Sequence, residues 1–383
     1  MRPRILIVSY HAANPLTPRG ARSQAVAAAL SRHADVHVIA GAPETGRRIW
    51  WHRARDRAVH EVASRWLIDP QELWSWKVLG RRDPEADFAL LIGFPFSPLV
   101  VAARALRRHG VPYVVDLSDP WAATRSPDNY ASGDRASPTL RDRRDYAVER
   151  RLWSGASGGI VTTAAQARDL LRLEPTLDVL VRPNGYAEAG GVPAARRRDA
   201  DDELRIGHFG NLYAPRVNIE PFFRRLVASG LWRRIVVQQY GRDHDHKLRR
   251  LAGSGPVTVQ LHDPVPWPEV VRLTAAELDI ALVIGNKDAR QLPSKAIEYL
   301  TLPVPRLALT GVTAGDALTD YTDGKPGWLA LTVDDADAAM RIWEHVRRRW
   351  TSEELAPPED ESWEVVADQL AAFVLRRMAS ASA

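Results

Sequence analysis

The chain opens on an unbroken apolar run, Arg4-Ile-Leu-Ile-Val-Ser-Tyr10, that reads as a strand buried on both faces. Ser23 to His33 follows with Ala25, Val26, Ala29 and Leu30 on one helical face, and Val36 to Ala40 reads as the next strand. At this spacing strand, loop, helix and strand imply a parallel sheet with a right-handed crossover. Ligands of such open sheets bind beyond the carboxyl ends of the strands. The Pro-rich loop Ser9 to Arg22, containing Gly20, is therefore expected at a cleft edge.

The alternation continues. Asp87 to Ile92 reads as a strand with Gly93-Phe-Pro-Phe-Ser-Pro98 at its mouth and a helix to His109, and Val111 to Leu117 as a strand. Tyr146 to Leu152 continues a helix, and Gly159 to Thr163 and Val179 to Arg182 are further strands. Pro183-Asn-Gly-Tyr186 is a turn signal in which φ > 0 is expected. After a polar run the pattern restarts with Leu204 to Phe209, Ile235 to Tyr240, Val257 to Leu261 and Leu278 to Ile284. A chain of 383 residues exceeds one typical core. The expected division is a first domain over 1–187, a linker over 188–203, a second domain over 204–355 and an amphipathic helix within 356–383.

Zero cysteines exclude disulfides, thiolate metal sites and a cysteine nucleophile, which fits a cytoplasmic setting. The longest apolar candidate, Phe88 to Leu106, is broken by Gly93, Pro95 and Pro98 and carries Arg104, so no membrane span is expected. A net charge of +5 is modest, and the arginines read as solvated helix faces rather than a nucleic-acid surface. Residues Arg47 to Arg82 interleave Trp50, Trp51, Trp66, Trp74 and Trp76 with arginines. That segment fits helices packing indoles inward, an aromatic acceptor pocket, or peripheral contact with the anionic inner face of a membrane, although Asp56, Glu61, Asp69 and Glu72 dilute its charge. Asp243-His-Asp-His246 reads as helix-opening acids rather than a metal site.

The stretch Gln291-Leu-Pro-Ser-Lys-Ala-Ile-Glu-Tyr-Leu300 follows a polar loop, with Pro293 in a first helical turn. Ser294 and Lys295 then lie among backbone N–H groups suited to an anion, and Glu298 sits one turn deeper, placed to accept from a ribose diol. The alternative is an amphipathic helix with Ala296, Ile297 and Leu300 inward and a weak Lys295–Glu298 surface pair. Only five residues are lysine in so Arg-rich a chain, which favours a compact point charge at 295.

That decapeptide with Thr301-Leu-Pro-Val-Pro-Arg-Leu-Ala-Leu309 resembles the donor-site segment of family-four glycosyltransferases. Asp116-Leu-Ser-Asp-Pro-Trp121 resembles the Asp-x-x-Asp-Pro-Trp segment of one branch, and Pro183-Asn-Gly matches another family element. The resemblance implies an α/β chain of the GT-B type, two Rossmann-like domains facing across a cleft with a C-terminal helix crossing back to the first. It implies retaining transfer of a sugar from a nucleotide-diphosphate sugar to a hydroxyl of a glycan, lipid-linked or small-molecule acceptor, with no metal and no other cofactor. Lys295, Arg216 and Asp119 become the catalytic candidates; Gly210, Asn211, Leu292, Pro293, Ser294, Glu298, Tyr240 and His262 the donor-binding ones; and Gly20, His11 and Trp121 the acceptor or cleft loop. Departures from the family pattern stand at Ser118, where relatives have His, at Asn211 and Val217, where they have Arg and Lys, and at Arg290, where they have Glu. A non-catalytic nucleotide-sugar-binding protein and a sugar-nucleotide epimerase are the alternatives. The base, the sugar, the acceptor and the oligomeric state stay open.

Overall fold

The computed structural model describes residues 2–41, 67–69, 71–79, 85–121, 139–187, 202–212, 217–243, 248–251, 255–311, 315–348 and 350–381. The chain divides into two compact units, Met1–Gly185 with Trp363–Ala383, and Tyr186–Ser362. Most of the Arg47–Arg82 segment and the 188–203 linker, with Arg216, lie outside the described residues.

In the first unit, six parallel strands lie in the order β2-β1-β3-β4-β5-β6: β1 Arg4–Ser9, β2 Asp35–Ala40, β3 Phe88–Gly93, β4 Tyr113–Leu117, β5 Gly158–Val161 and β6 Val179–Val181. Side chains alternate across the sheet as a period of two requires. Leu6, Val8, Leu91 and Val115 enter one core, while Ile5, Ile7, Leu90 and Val114 enter the other. The second core is covered by helix α1, Pro18–Ser31, through Val26 and Leu30, and by the terminal helix Trp363–Ala381 through Val366, Leu370, Phe373 and Val374. The expected return of the C-terminal helix to the first domain is therefore present.

Helix α1 starts five residues earlier than the apolar periodicity suggests. Thr17 caps it, its side chain accepting from Gly20 N at 3.1 Å, and Pro18 takes the first turn, where its missing N–H costs nothing. Gly20 and Arg22 thus belong to the helix and not to the loop. Asn184 and Gly185 do not take the expected left-handed conformation, since neither is among the described residues with positive φ. Asn184 Oδ1 instead accepts from Arg22, and the chain runs on to pair Tyr186 with Ser362 in a parallel bridge.

The second unit repeats the architecture in the order β12-β11-β10-β7-β8-β9: β7 Glu203–Phe209, β8 Arg234–Tyr240, β9 Val257–His262, β10 Ile280–Ile284, β11 Arg306–Thr310 and β12 Trp328–Thr332. One face packs Ile206, Ile235, Leu282 and Leu307 against Phe222, Phe223 and Ile342. The other packs Phe209, Val283 and Ala308 against Ala296, Ile297, Tyr299 and Leu300. Asp243 Oδ2 accepts from the N–H groups of Leu248 and Arg249, the structural role expected for the Asp-His cluster, whose residues 244–247 lie outside the described set. No helix among the described residues is long and apolar enough to cross a membrane.

Candidate functional site

Strands β7 and β8 end on two glycines that no other residue replaces without strain. Gly210 holds φ at +125° and Gly241 at +132°. A Cβ at Gly241 would lie 2.6 Å from Gly210 O, and one at Gly210 would collide with Cε and Nζ of Lys295. Hydrogen bonds lace the strand ends around that point: Gly210 N donates to Tyr240 O at 2.6 Å, Gly241 N to His262 O at 3.0 Å, and buried Gln239 Nε2 to Gly210 O at 2.5 Å. The structure therefore brings Gly210 and Lys295 together at the carboxyl end of the sheet, where open α/β sheets bind ligands.

Lys295 begins a turn shorter than the sequence suggests. Lys295–Glu298 is α-helical and Tyr299–Thr301 already 3₁₀, so little macrodipole accumulates and the Lys295 ammonium is the main positive charge of the turn. Ala296, Ile297 and Leu300 are buried, as the amphipathic alternative required, but Lys295 and Glu298 do not pair with each other. Glu298 is half-buried, and its carboxylate has no hydrogen-bond or ion-pair partner among the described residues. Ser294 precedes the turn without capping it, Pro293 is buried, and Leu292 packs against the core. Tyr299 Oη accepts from Phe209 N at 2.8 Å, tying the turn to the residue before Gly210.

Three rings cross the strand ends in register. Phe209 stacks on Tyr240 at 4.9 Å, and Tyr240 on His262 at 4.5 Å. Tyr240 is an inner member of this row; burial, then the charges of Glu277 and Glu269, raise its hydroxyl above the ordinary tyrosine range. His262, on edge strand β9, is exposed. Asn211 Oδ1 accepts from Arg242 N at 2.9 Å, and Val217 is a core residue. Arg290 N donates to Asp288 Oδ1 at 3.1 Å in the loop after β10. Among the described residues no group of three or more His, Asp or Glu side chains is arranged to hold a metal ion.

In the first unit the residues expected at a cleft loop are largely spoken for. A Cβ at Gly20 would collide with the carbonyl oxygens of Asn14 and His11, so that glycine admits its own loop and not a ligand. Trp121, expected at the cleft loop, is buried and stacked on Phe96 at 4.4 Å. His11 lies edge-on to Tyr10 at 5.5 Å. Asp119 is ion-paired with Arg19, whose guanidinium also covers the Phe94 ring at 5.1 Å. Beneath it, fully buried Arg22 donates to both Asp116 oxygens, at 2.7 and 3.1 Å, to the carbonyls of Arg182 and Pro183, and to Asn184. The described part of the Trp-rich segment behaves as packed helix: Trp74 meets Tyr10 at 5.2 Å, and Arg104 covers Trp76 at 5.5 Å.

The sequence reading missed Gln239, Tyr299 and Arg22. A glutamine interrupting an apolar strand run was the available signal for the first; the partners of the other two lie 90 and 94 residues away.

Two doubly wound parallel sheets, with the terminal helix returned to the first, define a GT-B fold. Among solved structures, the fold is shared with the lipopolysaccharide outer core galactosyltransferase WaaB in its apo form, at TM-score 0.59 and 12% identity over 97% of this chain and 99% of that one. It is shared likewise with HepE of Anabaena in complex with UDP-glucose, at 0.53 and 13% over 99% and 98%. A Listeria monocytogenes protein named as a candidate UDP-N-acetylglucosamine 2-epimerase gives 0.51 and 10% over 97% and 95%. No curated protein matches the chain in sequence. Residues 19–185 match the family model described as Glycosyl transferase 4-like domain.

Proposed function

We propose that the protein is a glycosyltransferase moving a sugar from a nucleotide-diphosphate sugar to an acceptor hydroxyl with retention of configuration. The observation that carries the reading is the Lys295 ammonium lying across Gly210, with the unpaired Glu298 carboxylate on the same turn. A diphosphate at the carboxyl end of β7 would meet a full positive charge where no side chain intervenes, and a ribose diol would meet an acceptor-only carboxylate. Exposed His262 extends the aromatic row toward a base. A UDP-sugar is the first donor to try, since HepE, of the same fold, is in complex with UDP-glucose.

In the proposed reaction the bond between the anomeric carbon and the diphosphate oxygen breaks. The acceptor oxygen bonds to the same face of that carbon, and its proton passes to the departing phosphate. Lys295 and the backbone N–H groups between Leu292 and Ser294 stabilise the charge as it develops; losing one such contact typically costs about 3 kcal/mol of barrier. No side-chain base is required, which suits Ser118 at the position where relatives carry His. Asp119, paired with Arg19, stays the candidate for an acceptor hydroxyl in the first unit. The proposed setting is the cytoplasm, with the Trp- and Arg-rich segment available to an anionic membrane face.

The test is thermal unfolding against UDP, GDP, TDP, CDP and ADP, each with EDTA and with magnesium, followed by transfer assays. One diphosphate at a hundredfold excess over its dissociation constant would add about 2.7 kcal/mol to the native state. Lys295→Ala is expected to abolish turnover and to reduce the shift while keeping the fold; unchanged turnover would sink the assignment.

A second reading, a nucleotide-sugar-binding protein without transfer activity, is favoured by Val217 and Asn211. The first is core, and the oxygen of the second is engaged by Arg242, where relatives place charged contacts. Binding without turnover across acceptors of all three classes would select it.

A further inference from the structure

Arg306 is the first residue of β11, a strand hydrogen-bonded on both sides, and its side chain turns into the core at 1% exposure. Among the described residues its guanidinium meets no carboxylate; its partners are main-chain carbonyls. Nε donates to Tyr299 O at 2.8 Å, Nη2 to Leu300 O, Leu302 O and Leu355 O at 2.7, 2.8 and 2.8 Å, and Nη1 to Pro326 O at 3.4 Å. A Cβ at Gly327, where φ is +75°, would lie 2.9 Å from Nη1, so that glycine leaves room for the group. Burial lowers the guanidinium to about 9, the cost expected of a cation held by dipoles alone.

Three of those carbonyls close the turn that Lys295 opens. Tyr299 O also accepts from Leu302 N at 3.1 Å, while carbonyls at the very end of a helical turn lack a donor within it, which is expensive when buried. Arg306 satisfies them together, from a strand whose position the sheet fixes on both sides. Tyr299 pins the middle of the same turn to Phe209, and Lys295 crosses Gly210 at its start. The turn is thus held at three points, and Arg306 is the only one of the three holding its far end.

We propose that Arg306 is a positioning residue for the nucleotide-sugar site: by gathering the Tyr299, Leu300 and Leu302 carbonyls it sets where Lys295 stands relative to Gly210. The proposal rests on the reading of Lys295 as a contact to the donor diphosphate. Arg306→Lys keeps a cation but not the planar fork, and so satisfies fewer of the five carbonyls.

The test compares wild type, Arg306→Lys, Lys295→Ala and the double variant in UDP and uridine titrations, at a temperature where each is fully folded. Arg306→Lys is expected to lose about tenfold in affinity for UDP, equivalent to about 1.4 kcal/mol, with little loss for uridine, and to lose nothing further in the Lys295→Ala background. Equal losses for both ligands, or additive losses in the double variant, would reduce Arg306 to a structural residue. A second measurement does not depend on the ligand. With five lysines in the chain, ¹³C-dimethylation gives a simple NMR spectrum in which Lys295 is assigned by Lys295→Arg. Arg306→Lys, which itself adds a sixth lysine, is expected to move the Lys295 signal and leave those of Lys77, Lys247 and Lys287 in place; an unmoved Lys295 signal overturns the proposal. Failure of the wild type to bind UDP, with the Lys295 signal still moving, would instead overturn the donor assignment alone.

Discussion

The side chain of Lys295 occupies the space in which any residue other than glycine at position 210 would place its Cβ. The two residues are 85 positions apart and belong to different structural elements, yet neither can change size without moving the other. Gly210→Ala tests this pairing. Alanine carries a backbone penalty of about 1–3 kcal/mol at such a φ, and its methyl expels the ammonium from the strand end. The expected result in calorimetric titration is loss of nucleoside diphosphate binding greater than the fall in stability explains. A variant that melts lower yet binds normally would show that Lys295 needs no contact with position 210.

The Arg22–Asp116 pair predicts a different response. Both groups are buried, and the arginine gathers three further acceptors from residues 182–184. Asp116→Asn keeps the shape but leaves a buried guanidinium without its counter-charge, a loss of about 3–5 kcal/mol. Urea unfolding of this variant should show a lower midpoint at unchanged slope; a midpoint within error of wild type would mean that the carbonyls suffice.

A buried and a half-buried group in the second unit titrate in opposite senses. Burial raises Asp316 to about 6, although Leu318 and Thr319 N–H groups bond to it, and burial lowers His345 to about 4. Between pH 4 and 6 folded Asp316 holds a proton that the unfolded chain releases, so its contribution falls as pH rises. Folded His345 lacks a proton that the unfolded chain binds below pH 6.5, so its contribution falls as pH drops. The two slopes oppose each other. Asp316→Asn keeps a good cap and removes one of the groups opposing His345, Asp69 being another whose carboxyl burial raises, so stability should rise from pH 4 to 6.5 by about 2–3 kcal/mol more than in wild type. A profile parallel to that of wild type, by urea melts across the interval, would contradict the assignment.

Tyr299→Phe removes the hydroxyl from Phe209 N and strands a buried N–H, at a cost of about 1–3 kcal/mol. Amide exchange at Phe209 should accelerate far more than at neighbouring β7 positions; uniform acceleration would assign the effect to global opening.

The strands were legible in the sequence because buried parallel strands are unbroken apolar runs, as in Ile280–Ile284 and Val114–Leu117. Gly210 and Lys295 were legible because their chemistry is local: a glycine ending a strand, a lysine opening a turn. The start of α1 was written in Thr17-Pro18 but was outweighed by the apolar stripe that begins later. The packing of Trp121 and of Arg22 was not legible because what fixes them is distant. The indole lies on Phe96 and the guanidinium on Asp116, and no local pattern announces either partner. Asn184-Gly185 carried a strong turn signal that tertiary bonding to Arg22 overrode.

The terminal helix completes a core whose other members are made first. Val366, Leu370, Phe373 and Val374 fill the face built by Ile5, Ile7, Val26 and Leu30, and the whole second unit is translated in between. During synthesis the first unit therefore waits with that face uncovered, while the second, a continuous segment, has all its strands as soon as it clears the ribosome. A helix made after the second unit seals the first, so a message cut short before the codons for Trp363–Ala381 yields a protein with one finished unit and one open to chaperones and proteases.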